Sequence, residues 1–156
     1  MKINVSILEA QPFLRGMDTG KLELLAENAV LAEFNANERI LYEGGAANRF
    51  YLILEGQVRL ESPMPGGEAV SLQTLGRGDV LGWSWLFPPY RWHFDARAVA
   101  PTKAILFDGT HLRELCEENH DLGYELMKRV SEIVIRRLQV ARREKVEENK
   151  NFLLPI

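Results

Sequence analysis

Between Asn35 and Phe107 the chain is cut into short apolar runs by glycine and proline, and this punctuation limits the possible folds more than any other feature. Arg39-Ile40-Leu41-Tyr42 reads as a short strand, and Gly44-Gly45 turns the chain. Phe50-Tyr51-Leu52-Ile53-Leu54 is apolar throughout, the pattern of a strand covered on both faces. Glu55-Gly56 makes a tight turn into Gln57-Val58-Arg59-Leu60-Glu61, which alternates apolar and polar. Residues 69–75 and 79–81 read as strands on either side of Gly76 to Gly78, and residues 96–100 and 103–107 close the series around Pro101. Many short strands with such turns predict a barrel or sandwich, and a closed roll removes the exposed sheet edges.

Helical periodicity flanks this region on both sides. Asp18 or Thr19 is placed to cap a helix whose apolar positions are Leu22, Leu25, Ala26 and Ala29. After the roll, Asp108 or Thr110 is placed to cap a short helix through Cys116. A longer helix starts near Asp121, with Leu122, Leu126, Val130, Ile133, Val134, Leu138 and Ala141 along one stripe. No glycine or proline interrupts it after Gly123, which predicts a helix of about 25 residues that projects beyond its own core and finds a partner. The expected organisation is a single domain. Residues 1–33 are a helical lead-in, 34–108 an antiparallel β-roll, 109–149 the C-terminal helices and 150–156 a tail.

A chain of 156 residues has room for one real core, and a formal net charge of −3 gives no overall attraction to nucleic acid or acidic membranes. No run reaches the roughly 20 apolar residues of a membrane span, and the start has no signal-peptide pattern. The single cysteine, Cys116, cannot form an internal disulfide, so a cytoplasmic, reducing location is expected. His93, His111 and His120 are too scattered for a metal centre, so no metal ligands are assigned. No P-loop or nucleophile–base arrangement appears, and no catalytic residue is assigned.

The glycines now carry a resemblance. Gly44 and Gly56, on either side of Tyr51 in Gly44-Gly45-Ala46-Ala47-Asn48-Arg49-Phe50-Tyr51-Leu52-Ile53-Leu54-Glu55-Gly56, are similar to the turn glycines and strand aromatic of the cyclic nucleotide-binding domain of the CRP/FNR superfamily. Phe34-Asn35-Ala36-Asn37-Glu38-Arg39-Ile40 resembles its F-x-x-G-E-x-I, with Asn37 in the glycine slot, a mild change because asparagine tolerates a left-handed backbone. Gly78-Asp79-Val80-Leu81-Gly82 resembles the opening of its phosphate-binding cassette, which spans residues 78–96 here. The match covers roughly residues 12–142. It implies a mainly β fold, a jelly-roll-like double-stranded β-helix with one N-terminal helix and C-terminal helices. Gly44, Gly56 and Gly78 are its structural turn glycines.

The resemblance also implies a chemistry that this cassette departs from. In the family a cyclic phosphate rests on backbone N–H groups, a glutamate after the glycine takes the ribose hydroxyl, and an arginine before the next strand pairs with the phosphate. Here Trp83 follows Gly82, and an indole accepts no hydrogen bond. Depending on the gap placed in the loop, the arginine slot falls on Phe94, His93 or Trp92. Arg97 belongs on the face opposite Ala96 and Ala98, while Arg91 in the Pro88-Pro89-Tyr90-Arg91 loop is the one guanidinium able to swing inward. Ordinary cAMP or cGMP binding is therefore expected to be weak or absent, and no cofactor is required.

The candidate ligand-pocket residues are Gly82, Trp83, Ser84, Trp85, Leu86, Arg91, Trp92, His93, Phe94 and Ala96. Two readings stand. In one, the aromatic residues fill the old pocket of an interaction scaffold or adaptor. In the other, they line a pocket through which a regulatory sensor takes a different small molecule. Homodimerisation is expected through Leu126, Val130, Ile133 and Leu138, and a protein partner is also allowed. Since the chain ends soon after the long helix, direct DNA binding through a following helix-turn-helix domain is not expected, nor is membrane association.

Overall fold

A computed structural model of the chain describes residues 2–149. The short helix α1 (Val5–Glu9) and a 3-10 turn (Pro12–Leu14) lead into α2 (Thr19–Ala26), which Asp18 caps by accepting the Lys21 amide. Eight strands follow: β1 (Ala29–Phe34), β2 (Arg39–Leu41), β3 (Arg49–Glu55), β4 (Val58–Ser62), β5 (Val70–Leu75), β6 (Val80–Leu81), β7 (Asp95–Ala98) and β8 (Thr102–Asp108). A second 3-10 turn (Ser84–Leu86) lies between β6 and β7. Asp108 ends β8 and caps α3 (Gly109–Glu118), and Asn119 caps α4 (His120–Glu148), a helix of 29 residues. The apolar tail, residues 150–156, lies outside the described residues.

The strands form two four-stranded antiparallel sheets, ordered β1-β8-β3-β6 and β2-β7-β4-β5. The all-apolar run of β3 has its explanation here. Tyr51 and Ile53 point into the lumen between the sheets, with Leu60, Leu81 and Ala96. Phe50 and Leu52 point the other way, into a core shared with the helices. The alternation of a strand thus feeds two apolar bodies from one sheet. Helices α1, α2, α3 and α4 all cover the outer face of the first sheet.

Two expectations need correcting. The lead-in does not remain helical to residue 33, because α2 stops at Ala26 and residues 29–34 form β1, paired along β8 from Ala29↔Phe107 to Phe34↔Thr102. Ala29 is buried as a helical stripe would bury it, but by strand pairing. The apolar stripe of α4 also divides. Leu126, Val130 and Ile133 are 0, 1 and 7% exposed and lie in the chain's own core, so they are not available to a second subunit. Leu138 is 53% exposed, on a separate outer face with Tyr124, Met127 and Ile135. A helix this long carries two apolar faces, and spacing alone merged them.

Candidate functional site

The cassette turns away from the sheet where β6 ends. Gly82 has φ of +87°, which directs the chain out of the strand, and it lies against an aromatic ring. A Cβ at this position would fall 2.7 Å from Cζ3 of Trp92 and 2.8 Å from its Cη2. The Trp92 indole therefore rests on the Gly82 backbone, and Phe94 joins it in the lumen; they are 5 and 8% exposed. The small Ala96 side chain lies in the same cluster.

Hydrogen bonds explain why Trp92 turns inward and Arg91 does not. The segment after Pro89 runs alongside the Gly44 turn like a strand. Ala47 N–H donates to Tyr90 C=O (2.8 Å), Trp92 N–H to Gly45 C=O (3.0 Å) and Gly44 N–H to Trp92 C=O (2.9 Å). Alternation along that ladder places Trp92 inside and leaves Arg91 exposed, its Nη1 donating to Gly44 C=O. His93 is also exposed, its ring 5.9 Å from that of Trp83. Arg97 lies on the outer face of its sheet, bonded to Glu61 (3.2 Å) and to Asn37 C=O (2.8 Å). None of these three side chains faces the lumen.

The three tryptophans do not form one group. Trp85 is fully buried on the helix side of the first sheet, stacked on Phe50 at 4.9 Å, and Phe50 is stacked in turn on Phe107 at 4.5 Å. Its assignment to a ligand pocket is thereby corrected: it belongs to the shared core. The half-buried Trp83 meets Phe87 edge-on at 6.2 Å, and the half-buried Leu86 packs on the helix-side core. Ser84 is buried, and neither its Oγ nor Trp85 Nε1 has a hydrogen-bond partner.

Three charged residues that the sequence did not single out hold this arrangement. Arg113 of α3 donates from Nη1 to Trp85 C=O (2.6 Å) and Ala47 C=O (3.2 Å), with its guanidinium 4.1 Å from the centre of the Tyr90 ring. Asp95 is buried and accepts the Glu43 amide at 2.7 Å. Glu61 is buried between Arg59 and Arg97. The alternation Asp95-Ala96-Arg97-Ala98 was a readable sign that Asp95 and Arg97 share a face, but the partner strand was not. At Cys116, burial first and then the Glu117 carboxylate push the thiol pKa up, so it stays protonated at neutral pH. Among the described residues no His, Cys, Asp and Glu cluster is suited to a metal ion.

The profile of cyclic nucleotide-binding domains matches residues 31–119, over half of the chain. The chain belongs to the cyclic nucleotide-binding domain family. Its fold is shared with solved relatives described as cyclic nucleotide-binding proteins. A crystal structure of a candidate cyclic nucleotide-binding protein from Geobacter metallireducens GS-15 is 29% identical, with a TM-score of 0.80 over 87% of this chain and 98% of the other. The regulatory subunit of a cAMP-independent protein kinase A from Trypanosoma cruzi, bound to guanosine, is 25% identical, with a TM-score of 0.64 over 74% of this chain and 40% of the other. A CRP-like cAMP-activated global transcriptional regulator of Mycobacterium tuberculosis is 22% identical over 85% of this chain, and the domain spans 58% of its length. No helix among the described residues is long and apolar enough to cross a membrane.

Proposed function

We propose that this cyclic nucleotide-binding domain is a regulatory module whose inherited pocket is closed by its own aromatic side chains. It works through its helices rather than through ordinary cAMP or cGMP binding, and its role is not catalytic. The observation that carries this reading is the Trp92 ring in contact with the backbone of Gly82, the glycine that by resemblance opens the phosphate-binding cassette. Admitting a nucleotide means expelling that ring, which costs about 3 kcal/mol or more, or about a hundredfold in affinity. Among the described residues no guanidinium of the cassette turns inward to offset the desolvation of the phosphate. The guanosine complex of the cAMP-independent kinase subunit supports a regulatory use of this fold without cAMP. The outer face of α4 is the proposed contact with a second copy, and the lone cysteine suits a reducing, cytoplasmic setting.

A second reading is favoured by Ser84 Oγ, a buried polar atom of the cassette without a hydrogen-bond partner. It assigns the cassette to an uncharged ligand that opens it. Tryptophan fluorescence tests both readings, since all three tryptophans lie in the cassette. Titration with cAMP, cGMP and guanosine up to about 1 mM is expected to give no saturable change. A saturable response to cAMP or cGMP at micromolar concentration would overturn the closed-pocket reading. A response to guanosine alone would favour the second.

A further inference from the structure

At one edge of the roll, where β5 ends the second sheet and β6 the first, α4 crosses the turn between them without closing on it. The gap is a cleft of about 430 Å³, within the roughly 300–1,000 Å³ of small-molecule sites. Its floor is apolar, with Phe13, Leu75, Val80 and Ile133. Three guanidiniums line it: Arg136 and Arg137 from α4, and Arg77 from the facing turn. No residue from Gly82 to Ala96 lines it, so it is distinct from the aromatic plug, and of its floor only Leu75 also belongs to the lumen cluster.

Arg137 is the unusual member. Its Nη2 donates to the C=O of Val80 in β6, the edge strand of its sheet, and its Nη1 is buried with no hydrogen-bond partner. Among the described residues no carboxylate makes an ion pair with Arg77, Arg136 or Arg137. Asp79 is the one acidic group of the lining, and its Oδ2 accepts the Gly76 amide at 2.8 Å. Earlier on α4 the pattern is the reverse: Arg129 pairs with Glu125 at 2.9 Å, and Glu125 with Lys21 at 2.8 Å. Burial pulls the Arg137 pKa down to about 10, with Asp79 opposing and Arg136 adding to the fall. At neutral pH it stays a cation, desolvated and with no carboxylate in direct ion-pair contact, which is costly unless an anion arrives from outside.

We propose that this cleft binds a small phosphate monoester with an apolar or aromatic body, its phosphate held by Arg137, Arg136 and Arg77 and its body laid on Phe13 and Ile133. Three guanidiniums less the Asp79 carboxylate leave two positive charges, matching a phosphate dianion, and the planar guanidinium fork suits phosphate oxygens. Gln73 and Thr74 at the rim supply neutral hydrogen-bonding groups. The site shares no residue with the aromatic plug, so it stands whether or not the plug closes the lumen.

The test is a titration of the isotope-labelled chain with phenyl phosphate, read by NMR at the arginine Nε–H groups and the amides of Gly78 and Val140. Saturable shifts at Arg137, Gly78 and Val140 are expected, with inorganic phosphate binding at least about tenfold more weakly for want of the apolar contact. Arg137→Met is expected to weaken phenyl phosphate binding by at least about tenfold. The double variant Arg77→Gln/Arg136→Gln is expected to do the same, and it keeps the bond to Val80, so the result does not depend on Arg137→Met folding. No saturable shift by about 10 mM, or binding that survives the double variant, overturns the proposal. Inorganic phosphate binding as tightly as phenyl phosphate overturns the part played by the apolar floor.

Discussion

A single methyl group is enough to test the most crowded glycine among the described residues. Gly56, between β3 and β4, has φ of +101°, and a Cβ there would lie 2.4 Å from Thr102 Oγ1 and 2.6 Å from Pro101 C=O. Backbone conformation and steric contact both oppose a side chain, and the contacts include main chain that cannot step aside. Gly56→Ala is expected to cost about 2–4 kcal/mol in urea unfolding. Gly66 is the control: φ is +69°, but nothing lies within 4 Å of where a methyl group would stand, so Gly66→Ala is expected to cost only about 1 kcal/mol. Equal losses at the two sites would show that φ alone, and not the contact with Thr102, sets the need for glycine. Asn37 is the complementary case, an asparagine at φ of +72° in the slot where the family motif has glycine.

Within α4, two faces of one helix make opposite predictions. Val130 is 1% exposed in the chain's own core, so Val130→Asp buries an unpaired carboxylate and is expected to unfold the domain, at a cost above about 4 kcal/mol. Such a variant reports on folding and not on assembly. Leu138 and Ile135 are 53 and 55% exposed, so Leu138→Asp is expected to change the stability of the isolated chain by no more than about 0.5 kcal/mol. Light scattering on that variant checks the proposed dimer face, with a fall from dimer to monomer mass expected. A dimer that persists in Leu138→Asp/Ile135→Asp would show that the outer face of α4 is not the interface. Where α3 meets α4, Gly123 allows close approach, since a Cβ on it would lie 3.1 Å from Cys116 Cβ.

Across the whole molecule, polar bonds tie the N-terminal segment to the last helix. Lys21 of α2 bonds Glu125 at 2.8 Å, Glu125 bonds Arg129 at 2.9 Å, and Arg129 donates to Phe13 C=O at 2.8 Å. The Lys21 hydrogen bond, then that of Arg129, holds the Glu125 carboxyl below its ordinary pKa, against the opposing effect of burial. A depressed carboxylate contributes stability at neutral pH, and that contribution fades as pH falls through its unfolded and then its folded pKa. Lys21 is raised, chiefly by Glu125, so its share persists to alkaline pH and is lost only above the ordinary ammonium range. Thermal unfolding of wild type and Glu125→Gln is therefore expected to show a wild-type advantage at pH 7 that shrinks toward zero between about pH 5 and 3. An advantage that stays constant through that window would remove the carboxylate from the link.

Local chemistry by itself determined the strands from residue 39 onward and their turns, the cap positions to within Asp18 or Thr19 and Asp108 or Thr110, a β3 covered on both faces, and a cassette without its charged residues. Each of these is written within a few neighbouring residues, as a left-handed turn, an orphan amide or an alternation. Long-range pairing decided the rest. Residues 29–34 became a strand because β8 lies beside them, and burial at Ala29 looks the same in a helix or a strand. Trp85 and Trp92, seven positions apart, entered different apolar bodies because the cassette leaves one sheet and its end is laddered onto the Gly44 turn. The inner and outer faces of α4 separated only when the roll took up one of them. Arg77 met Arg136 and Arg137 across some sixty residues of chain for the same reason. Periodicity records that a side chain is buried, whereas what it is buried against is settled by which distant segment the fold brings to it.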